Sequence, residues 1–253
     1  CLAYIKAPAL ESSRQHLVTL HQRVHAISTD ASQTGCTRVF MLTNAFGSLL
    51  SEIMSKPSWA TPSILQTMAQ AVDCLRFLLK SDDLGLAEPA PKDKVLAVDD
   101  DPVCNHVMVT TLRRANFDIT NLENPNAALQ LLQNNRYDLV LLDVNMPEIT
   151  GFELCVKLRR LPHCKTIPVI FVTAFNNFEN RKQSVLSGGD DFITKRISPL
   201  ELALKVSIHI HKAEVKRASA PPPEIEPAPA ETAPAALPAS RPVTPATPFA
   251  ATQ

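Results

Sequence analysis

Apolar residues follow two different periods along the chain, and the first of them covers the N-terminal third. Between Glu11 and Lys80 they recur every three or four residues, which is typical of amphipathic helices, and no run alternates as a strand does. Thr61 and Pro62 open one such stripe as an N-cap and a first-turn proline. We therefore predict an all-α helical bundle over residues 1–80. Its two apolar stripes are Val39, Leu42, Phe46, Leu49, Leu50 and Ile53, and Ile64, Leu65, Met68, Val72, Leu75 and Leu79.

Residues 94–212 follow the second pattern, in which short apolar runs alternate with amphipathic helical segments. The runs are KVLAVD, FDITNL, DLVLLD, IPVIFVT and DFIT, and the helices are predicted at Pro102–Ala115, Pro125–Asn134, Gly151–Arg160, Asn176–Leu186 and Pro199–Lys212. The last helix opens with SPLE, which predicts a capping box with Ser198 as the cap and Glu201 reaching back. Five strands alternating with five helices predict an α/β fold with a doubly wound parallel sheet.

Two further stretches lack both patterns. Residues 81–93 are acidic and contain prolines, which predicts a linker. Residues 213–253 are rich in Pro and Ala and poor in core-forming residues, so we expect a disordered tail without room for a DNA-binding output module. Because the chain begins with a cysteine rather than a methionine, we expect that it has been trimmed and that the bundle is truncated at its start.

Composition narrows the classes of function. The formal net charge of the 253 residues is zero, which gives no electrostatic reason to expect nucleic-acid binding. No stretch approaches the roughly 20 apolar residues of a membrane span, and no secretory signal is recognisable. The six cysteines lack metal-ligand spacing. We therefore expect a protein of the reducing cytoplasm that does not insert into membranes.

Polar side chains gather where the predicted strands end. Asp99 and Asp100 follow the first strand, Asp143 ends the third, Thr173 ends the fourth and Lys195 follows the fifth. The carboxyl ends of parallel strands share one edge of the sheet, so these groups should converge. Clustered carboxylates suit a hard cation such as Mg²⁺, the lysine and the hydroxyl could hold an oxyanion, and an Asp carboxylate beside Mg²⁺ can attack phosphorus.

A simpler reading treats these acids as loop and cap residues. Asp101, directly before Pro102, fits the role of a helix N-cap best. The same reading does not account for carboxylates at successive strand ends, which we interpret as a site.

The segments VDDD, LLDVNMPEITGFEL, VTA and SGGDDFITK, in this order, resemble the receiver domains of two-component response regulators over residues 94–212. The resemblance implies a flavodoxin-like sheet of order 2-1-3-4-5 with Asp143 as the phosphoacceptor. It also implies a Mg²⁺ site formed by Asp99, Asp100, Asp143 and the backbone carbonyl of Asn145, with Asp100 the more direct ligand of the first pair.

The same resemblance implies a switch. Thr173 and Lys195 would bind the phosphoryl oxygens, Phe192 matches an aromatic residue that rotates inward, and the fourth helix, fifth strand and fifth helix of the domain would then change their surface for a protein partner. Arg196 departs from the family, which has a proline there, and we expect a trans peptide and a slightly redirected loop. Phe175 is apolar where a polar residue could guide water, so we expect slow loss of phosphate.

The N-terminal zone resembles a histidine phosphotransfer domain of the chemotaxis-kinase type. That family places an apolar residue, a lysine, a glycine, a small residue and a second glycine after the phosphorylated histidine. His25 is followed in the same order by Ile27, Ser28, Thr29, Ala31 and Gly35, so the lysine and the first glycine are absent. His21 lies one turn earlier on the same helix face. His25 is thus a candidate phosphohistidine, and the alternative is a degenerate bundle kept for docking or dimerisation.

These patterns predict a signalling protein that takes a phosphoryl group from a histidine kinase or phosphotransfer protein and then engages a downstream protein. It would not be a conventional enzyme, because it would catalyse only its own phosphorylation and dephosphorylation. Two alternatives stay open: a fragment of a hybrid or chemotaxis-like histidine kinase, and a phosphorylation-independent scaffold supported by the departure at Arg196.

Overall fold

Three helices precede the sheet and follow the helical period of the sequence. The computed structural model describes residues 11–80, 92–174 and 178–218. Its first helices are α1 (Glu11–Thr34), α2 (Thr37–Ser55) and α3 (Pro62–Leu78), with a short 3-10 turn, Pro57–Trp59, between the last two. The predicted tail beyond residue 218, most of the predicted linker, and Phe175 lie outside the described residues.

The apolar stripes of these helices form one core. The α2 stripe is buried at all six predicted positions, and Thr61 caps α3 by accepting a hydrogen bond from the Ile64 amide at 3.3 Å. One position of the α3 stripe was wrong: Leu79 is half exposed and Leu78 is buried in its place. Leu79 lies beyond the last helical turn, so the buried face closes one residue earlier, at Leu78, with Ala71 and Cys74.

Five parallel strands form the sheet in the order β2-β1-β3-β4-β5. They are β1 (Lys94–Val98), β2 (Asp118–Leu122), β3 (Leu139–Asp143), β4 (Val169–Thr173) and β5 (Asp191–Thr194). The central strands β3 and β4 are buried at every residue, which explains their continuous apolar runs. The predicted fold class and the 2-1-3-4-5 order are confirmed.

Helices cover both faces of the sheet. They are α4 (Pro102–Arg114), α5 (Pro125–Asn134), α6 (Gly151–Leu158), α7 (Phe178–Leu186) and α8 (Pro199–Ala218), with a 3-10 turn at Pro162–Cys164. Asp101 is the N-cap of α4, because its side chain accepts a hydrogen bond from the Val103 amide at 2.9 Å. Among the described helices, none is both long and apolar enough to cross a bilayer.

The last helix differs from its prediction at both ends. It continues to Ala218, six residues past the predicted boundary at Lys212. In this extension Glu214 pairs with Arg38 on α2, and Val215 lines a crevice together with Cys74 and Phe77 of α3. At its start, Ser198 accepts a long hydrogen bond from the Glu201 amide, 3.4 Å. The capping box was predicted to place the Glu201 carboxylate on the Ser198 backbone. Instead, this carboxylate accepts a hydrogen bond from the Ser63 hydroxyl on α3.

Helix α8 is buried on two sides. On one side, residues spaced by four belong to the sheet core: Leu202, Val206 and Ile210. On the other side, Leu204 and Ile208 belong to the apolar cluster of the N-terminal helices. Arg38 on α2 adds an ion pair to Glu214 on α8 at 3.1 Å. Helix α8 therefore belongs to both the bundle and the sheet domain, and joins them into one compact unit.

A buried ion cluster fixes α8 to β5. The fully buried Lys205 ammonium lies 3.0 Å from the Asp191 carboxylate and donates to the Phe192 carbonyl at 2.8 Å, and His209 Nε2 lies 2.9 Å from the second Asp191 oxygen. Burial alone would raise the pKa of Asp191, but the His209 hydrogen bond and the Lys205 charge hold that pKa well below its ordinary value. Asp191 is therefore ionised, and its charge is compensated inside the fold.

Asp191→Asn should lower the free energy of unfolding by about 3 kcal/mol at pH 7, because it leaves the buried Lys205 charge uncompensated. The matched control Asp190→Asn should cost less than about 1 kcal/mol, since its side chain is 45% exposed and its ion pair with Arg159 faces solvent. Because the Asp191 pKa is lowered in the folded state, the difference from wild type should hold above about pH 4 and decline at lower pH. Urea unfolding at several pH values measures both effects, and equal losses for the two variants would contradict the assignment.

Leu204→Ala should weaken the bundle and the sheet together, by about 2–5 kcal/mol, because α8 is part of both cores. The measurement is urea unfolding followed by the fluorescence of Trp59, in the bundle, and by amide exchange of β3, in the sheet. Both midpoints should fall by the same amount. Val185→Ala is the control, since Val185 is 74% exposed. A shift of the Trp59 transition alone would show two independent domains.

Candidate functional site

Three carboxylates meet at the carboxyl edge of the sheet. Asp99 directly follows β1 and Asp143 is the last residue of β3, and both are almost fully buried, whereas Asp100 is exposed at the rim. One oxygen from each of the three lies within 4.8 Å of the other two. The structure thus brings together three of the residues that the sequence predicted as metal ligands.

Lys195 bridges the two buried acids. Its ammonium lies 3.2 Å from Asp99 Oδ1 and 3.1 Å from Asp143 Oδ1, and its side chain is 20% exposed. The bridge joins the end of β5 to the ends of β1 and β3. One positive charge therefore faces two buried negative charges, so the site retains an excess of negative charge.

The pKa values of these groups reflect this imbalance. Burial raises the pKa of Asp143, and the nearby Asp99 charge raises it further. Burial also raises the pKa of Asp99, against the lowering effect of the Asp101 amide and Lys195. Burial would lower the pKa of Lys195, but the two carboxylates raise it overall, so the lysine stays charged.

The site fits a hard divalent cation. Two buried carboxylate oxygens, Asp99 Oδ2 and Asp143 Oδ2, have no hydrogen-bond donor within the described part of the chain, and Asp143 Oδ1 has the Lys195 ammonium as its ion-pair partner. Buried, unsatisfied and like-charged oxygens are costly without a partner, and oxygen ligands are those that Mg²⁺ prefers. Asn145 lies in the loop between β3 and α6, two residues past Asp143, where its side chain is exposed; the role of its carbonyl stays a prediction.

Two residues that support the acids were missed at the sequence level. The buried Asn105 side chain donates a hydrogen bond to the Asp99 carbonyl and fixes the end of β1. Gly151 lies so close to the Asp143 carbonyl that any Cβ would clash with it, while its amide donates to the Val144 carbonyl at 3.0 Å. A polar residue on the inner face of α4, and a glycine just after the Thr150 helix cap, were the available signals.

The predicted switch residues lie on the two strands beside the acids. Thr173 ends β4 with its side chain buried, and it pairs in register with Thr194 on β5. Phe192 on β5 is half-buried, and the Lys205 ammonium lies 5.4 Å from the centre of its ring. After Lys195 the peptide is trans, as expected without a proline, and Arg196 has a φ of +82°.

The candidate phosphohistidine is not part of this site. His25 lies on the exposed side of α1, whose main packing partner is α2, and its ring centre is 6.5 Å from that of His21. The Thr29 hydroxyl donates to the His25 carbonyl at 3.0 Å, so a side chain occupies the place of the family's first glycine. Phosphorylation of His25 remains a prediction.

Comparisons with known proteins agree with this geometry. The family model described as response regulator receiver domain matches residues 95–207. Protein RcaC of Microchaete diplosiphon is 36% identical over 121 residues, 48% of this chain and 19% of that protein. Transcriptional regulatory protein ResD of Bacillus subtilis is 37% identical over 126 residues, 50% of this chain and 49% of that protein. An uncharacterised 14.6 kDa protein of Leptolyngbya boryana is 39% identical over 108 residues, 43% of this chain and 82% of that protein.

Solved structures give the same match over about half of the chain. The receiver domain of Francisella response regulator 1452 is 32% identical, with a TM-score of 0.45, over 49% of this chain and 99% of that one. The receiver domain of sensor histidine kinase PA1611 from Pseudomonas aeruginosa, with a magnesium ion coordinated in its active-site cleft, is 24% identical with a TM-score of 0.45, over 47% of this chain and 98% of that one. The chain spans 19% of the length of Protein RcaC and about half the length of the transcriptional regulatory proteins YrkP, SpaR and ResD of Bacillus subtilis.

Asp100→Ala should weaken Mg²⁺ binding about tenfold or more, because it removes the one exposed carboxylate of the cluster. Asp101→Asn should leave the affinity within about twofold, since asparagine also caps helices and the Asp101 side chain faces its own helix. Calorimetric titration of both variants and the wild type with Mg²⁺ measures the difference. Equal affinities for Asp100→Ala and the wild type would exclude Asp100 as a ligand.

Proposed function

Because residues 95–207 belong to the response regulator receiver domain family, we propose that this chain works in two-component signalling by accepting a phosphoryl group on Asp143. The observation that carries the proposal is the Asp143 carboxylate itself. It is buried at the end of β3, Lys195 holds its Oδ1 at 3.1 Å, and its Oδ2 has no hydrogen-bond donor within the described residues. Such a carboxylate is positioned as a nucleophile.

Transfer would proceed from a phosphohistidine. One oxygen of Asp143 forms a bond to phosphorus, the phosphorus–nitrogen bond of the donor breaks, and the departing imidazole keeps that electron pair and takes up a proton. Phosphoryl transfer depends mainly on positioning and charge neutralisation. Asp99, Asp100, Asp143 and the Asn145 carbonyl would hold Mg²⁺, which when bound neutralises the negative charge of the carboxylates and of the phosphoryl oxygens.

Lys195 and Thr173 would hold the phosphoryl group after transfer. The Lys195 ammonium already lies beside both buried acids, and Thr173 ends the neighbouring strand with a buried side chain. We infer that the chain catalyses only its own phosphorylation and dephosphorylation, since a phosphorylated Asp143 is a signalling state and not a released product. Phe192, next to Lys205, would report that state.

We further propose a histidine kinase or phosphotransfer protein as the donor and a downstream protein as the target, without nucleic-acid binding. A reducing, cytoplasmic setting is supported by the cysteines, since the five that the structure describes are all free and four of them are buried. The sheet domain is also compatible with a place in a larger hybrid kinase, because the PA1611 receiver belongs to a sensor kinase.

One observation favours a phosphorylation-independent scaffold as the second candidate. Arg196 stands where the family has proline, and it adopts a left-handed conformation that is uncommon for a non-glycine residue. This departure changes the loop after Lys195. It leaves the Lys195 ammonium in contact with both acids, so we favour the phosphorylated receiver.

Asp143→Asn should abolish modification by acetyl phosphate in the presence of Mg²⁺, because an amide is a far poorer nucleophile than a carboxylate. Intact mass spectrometry should detect one phosphoryl group on the wild type and none on the variant. Asp118→Asn, at an exposed carboxylate on β2, is the control and should be modified like the wild type. A wild-type protein that stays unmodified would contradict the proposed function and favour the scaffold.

A further inference from the structure

The loop that carries Lys195 leads directly into α8, the helix shared with the N-terminal bundle. Two residues, Arg196 and Ile197, separate Lys195 from Ser198. Ser198 caps α8: its hydroxyl accepts a hydrogen bond from the Glu201 amide, and its carbonyl accepts one from the Leu202 amide at 3.0 Å. The acidic site and the start of α8 are therefore linked by a short piece of backbone. Arg196, within it, has a positive φ.

Beyond this cap, α8 is tied to α3 by a buried polar contact. The Ser63 hydroxyl, on the first turn of α3, donates a hydrogen bond to the Glu201 carboxylate, and both residues are less than 5% exposed. A buried carboxylate that loses its hydrogen-bond donor is destabilised, because it is also shielded from water. The contact therefore favours those positions of the first turn of α8 that keep Glu201 within hydrogen-bond distance of Ser63. Among the residues that the structure describes, it is the polar contact between the two domains that lies nearest in sequence to Lys195.

One turn further on, α8 is tied to the sheet. Lys205 holds Asp191 and the Phe192 carbonyl, so the same helix contacts the bundle through Glu201 and β5 through Lys205. A small shift of β5 or of the Lys195 loop must therefore be absorbed at the Ser63–Glu201 contact or in the packing around it. Packed interfaces of this kind have discrete arrangements and are not continuously deformable.

Space for such a shift exists beside the loop. A crevice of about 740 Å³ separates the Lys195–Arg196 loop and α4 from the bundle, and Trp59, Thr61 and Ile64 line its bundle side. Trp59 is the only tryptophan of the chain and its side chain is 39% exposed. The crevice therefore leaves space beside the Lys195 and Arg196 side chains on the side that faces the bundle.

We propose that the N-terminal helices α1–α3 are the intramolecular partner that reads the state of Asp143, and that phosphorylation loosens their contact with the first turns of α8. The inference rests on the proposed function. In the unmodified protein Lys195 lies between two carboxylates. A phosphoryl group on Asp143 carries the negative charge outward from the carboxylate, the ammonium follows it, and the loop draws the α8 cap away from the Ser63–Glu201 geometry.

The test uses the full chain with Mg²⁺ and beryllofluoride, a stable analogue of the phosphoryl group. We expect a change in Trp59 fluorescence and faster amide exchange in the first turns of α3. Since coupling between two sites is reciprocal, Ser63→Ala, which removes the bundle's donor, should tighten beryllofluoride binding about fivefold or more. Ser55→Ala is the matched control, because the Ser55 hydroxyl is exposed and bonds only within α2, to the Glu52 carbonyl; its affinity should equal that of the wild type.

Glu201→Gln provides a second variant in case Ser63→Ala does not fold, since glutamine keeps an acceptor oxygen for Ser63 and should tighten binding by a smaller factor. Beryllofluoride binding with unchanged Trp59 fluorescence, unchanged α3 exchange and unchanged affinity in the folded variant would overturn the coupling and leave the proposed function intact. A wild-type chain that binds no beryllofluoride and takes no phosphoryl group from acetyl phosphate would overturn both.

Discussion

The site depends on the electrostatic repulsion between two buried carboxylates, Asp99 and Asp143, which a single lysine compensates only in part. The strand order places the ends of β1 and β3 side by side, so Asp99 and Asp143 are buried next to each other with Lys195 as their shared counter-ion. Burial raises the pKa of both acids, which means that their ionised forms are destabilised. Further positive charge beside them would stabilise the two carboxylates. The proposed binding of Mg²⁺ would supply that positive charge, and a phosphoryl group on Asp143 would add negative charge that Lys195 faces.

Helix α8 would carry the proposed response, because it has no exposed residue over the three turns from Glu201 to His211. All residues from Glu201 to His211 are buried, including the charged Glu201 and Lys205, which have partners on α3 and β5. A helix that is buried all round cannot move alone, since a displacement that preserves one set of contacts disturbs the other. The bundle and the sheet domain therefore share α8 and should move together at this helix, although the family match covers only the sheet domain.

Sequence patterns were sufficient for the elements and for the acidic cluster, because both depend on local information: strand runs, helix period, and the polar residue at each strand end. They were insufficient wherever the partner is distant in the chain. Glu201 fits a capping box within four residues, but its partner Ser63 lies 138 residues away. Lys205 reads as an ordinary surface lysine of an amphipathic helix, yet it is fully buried. The position of Gly151 after the Thr150 helix cap is visible in the sequence, but only the Asp143 backbone beside it shows why it lacks a side chain.

The same sharing of α8 bears on the histidine phosphotransfer hypothesis. Helices α1, α2 and α3 obtain their fourth packing partner from the sheet domain, through Leu204 and Ile208. Separation of the two domains would expose both side chains and leave Glu201 without its donor, whereas phosphorylation of His25 stays a prediction. His25 is exposed on α1 but lacks the lysine and the glycine of the family pattern. Of the two roles that the sequence left open for the bundle, the structure therefore favours docking, with the chain's own receiver domain as the surface to which it docks.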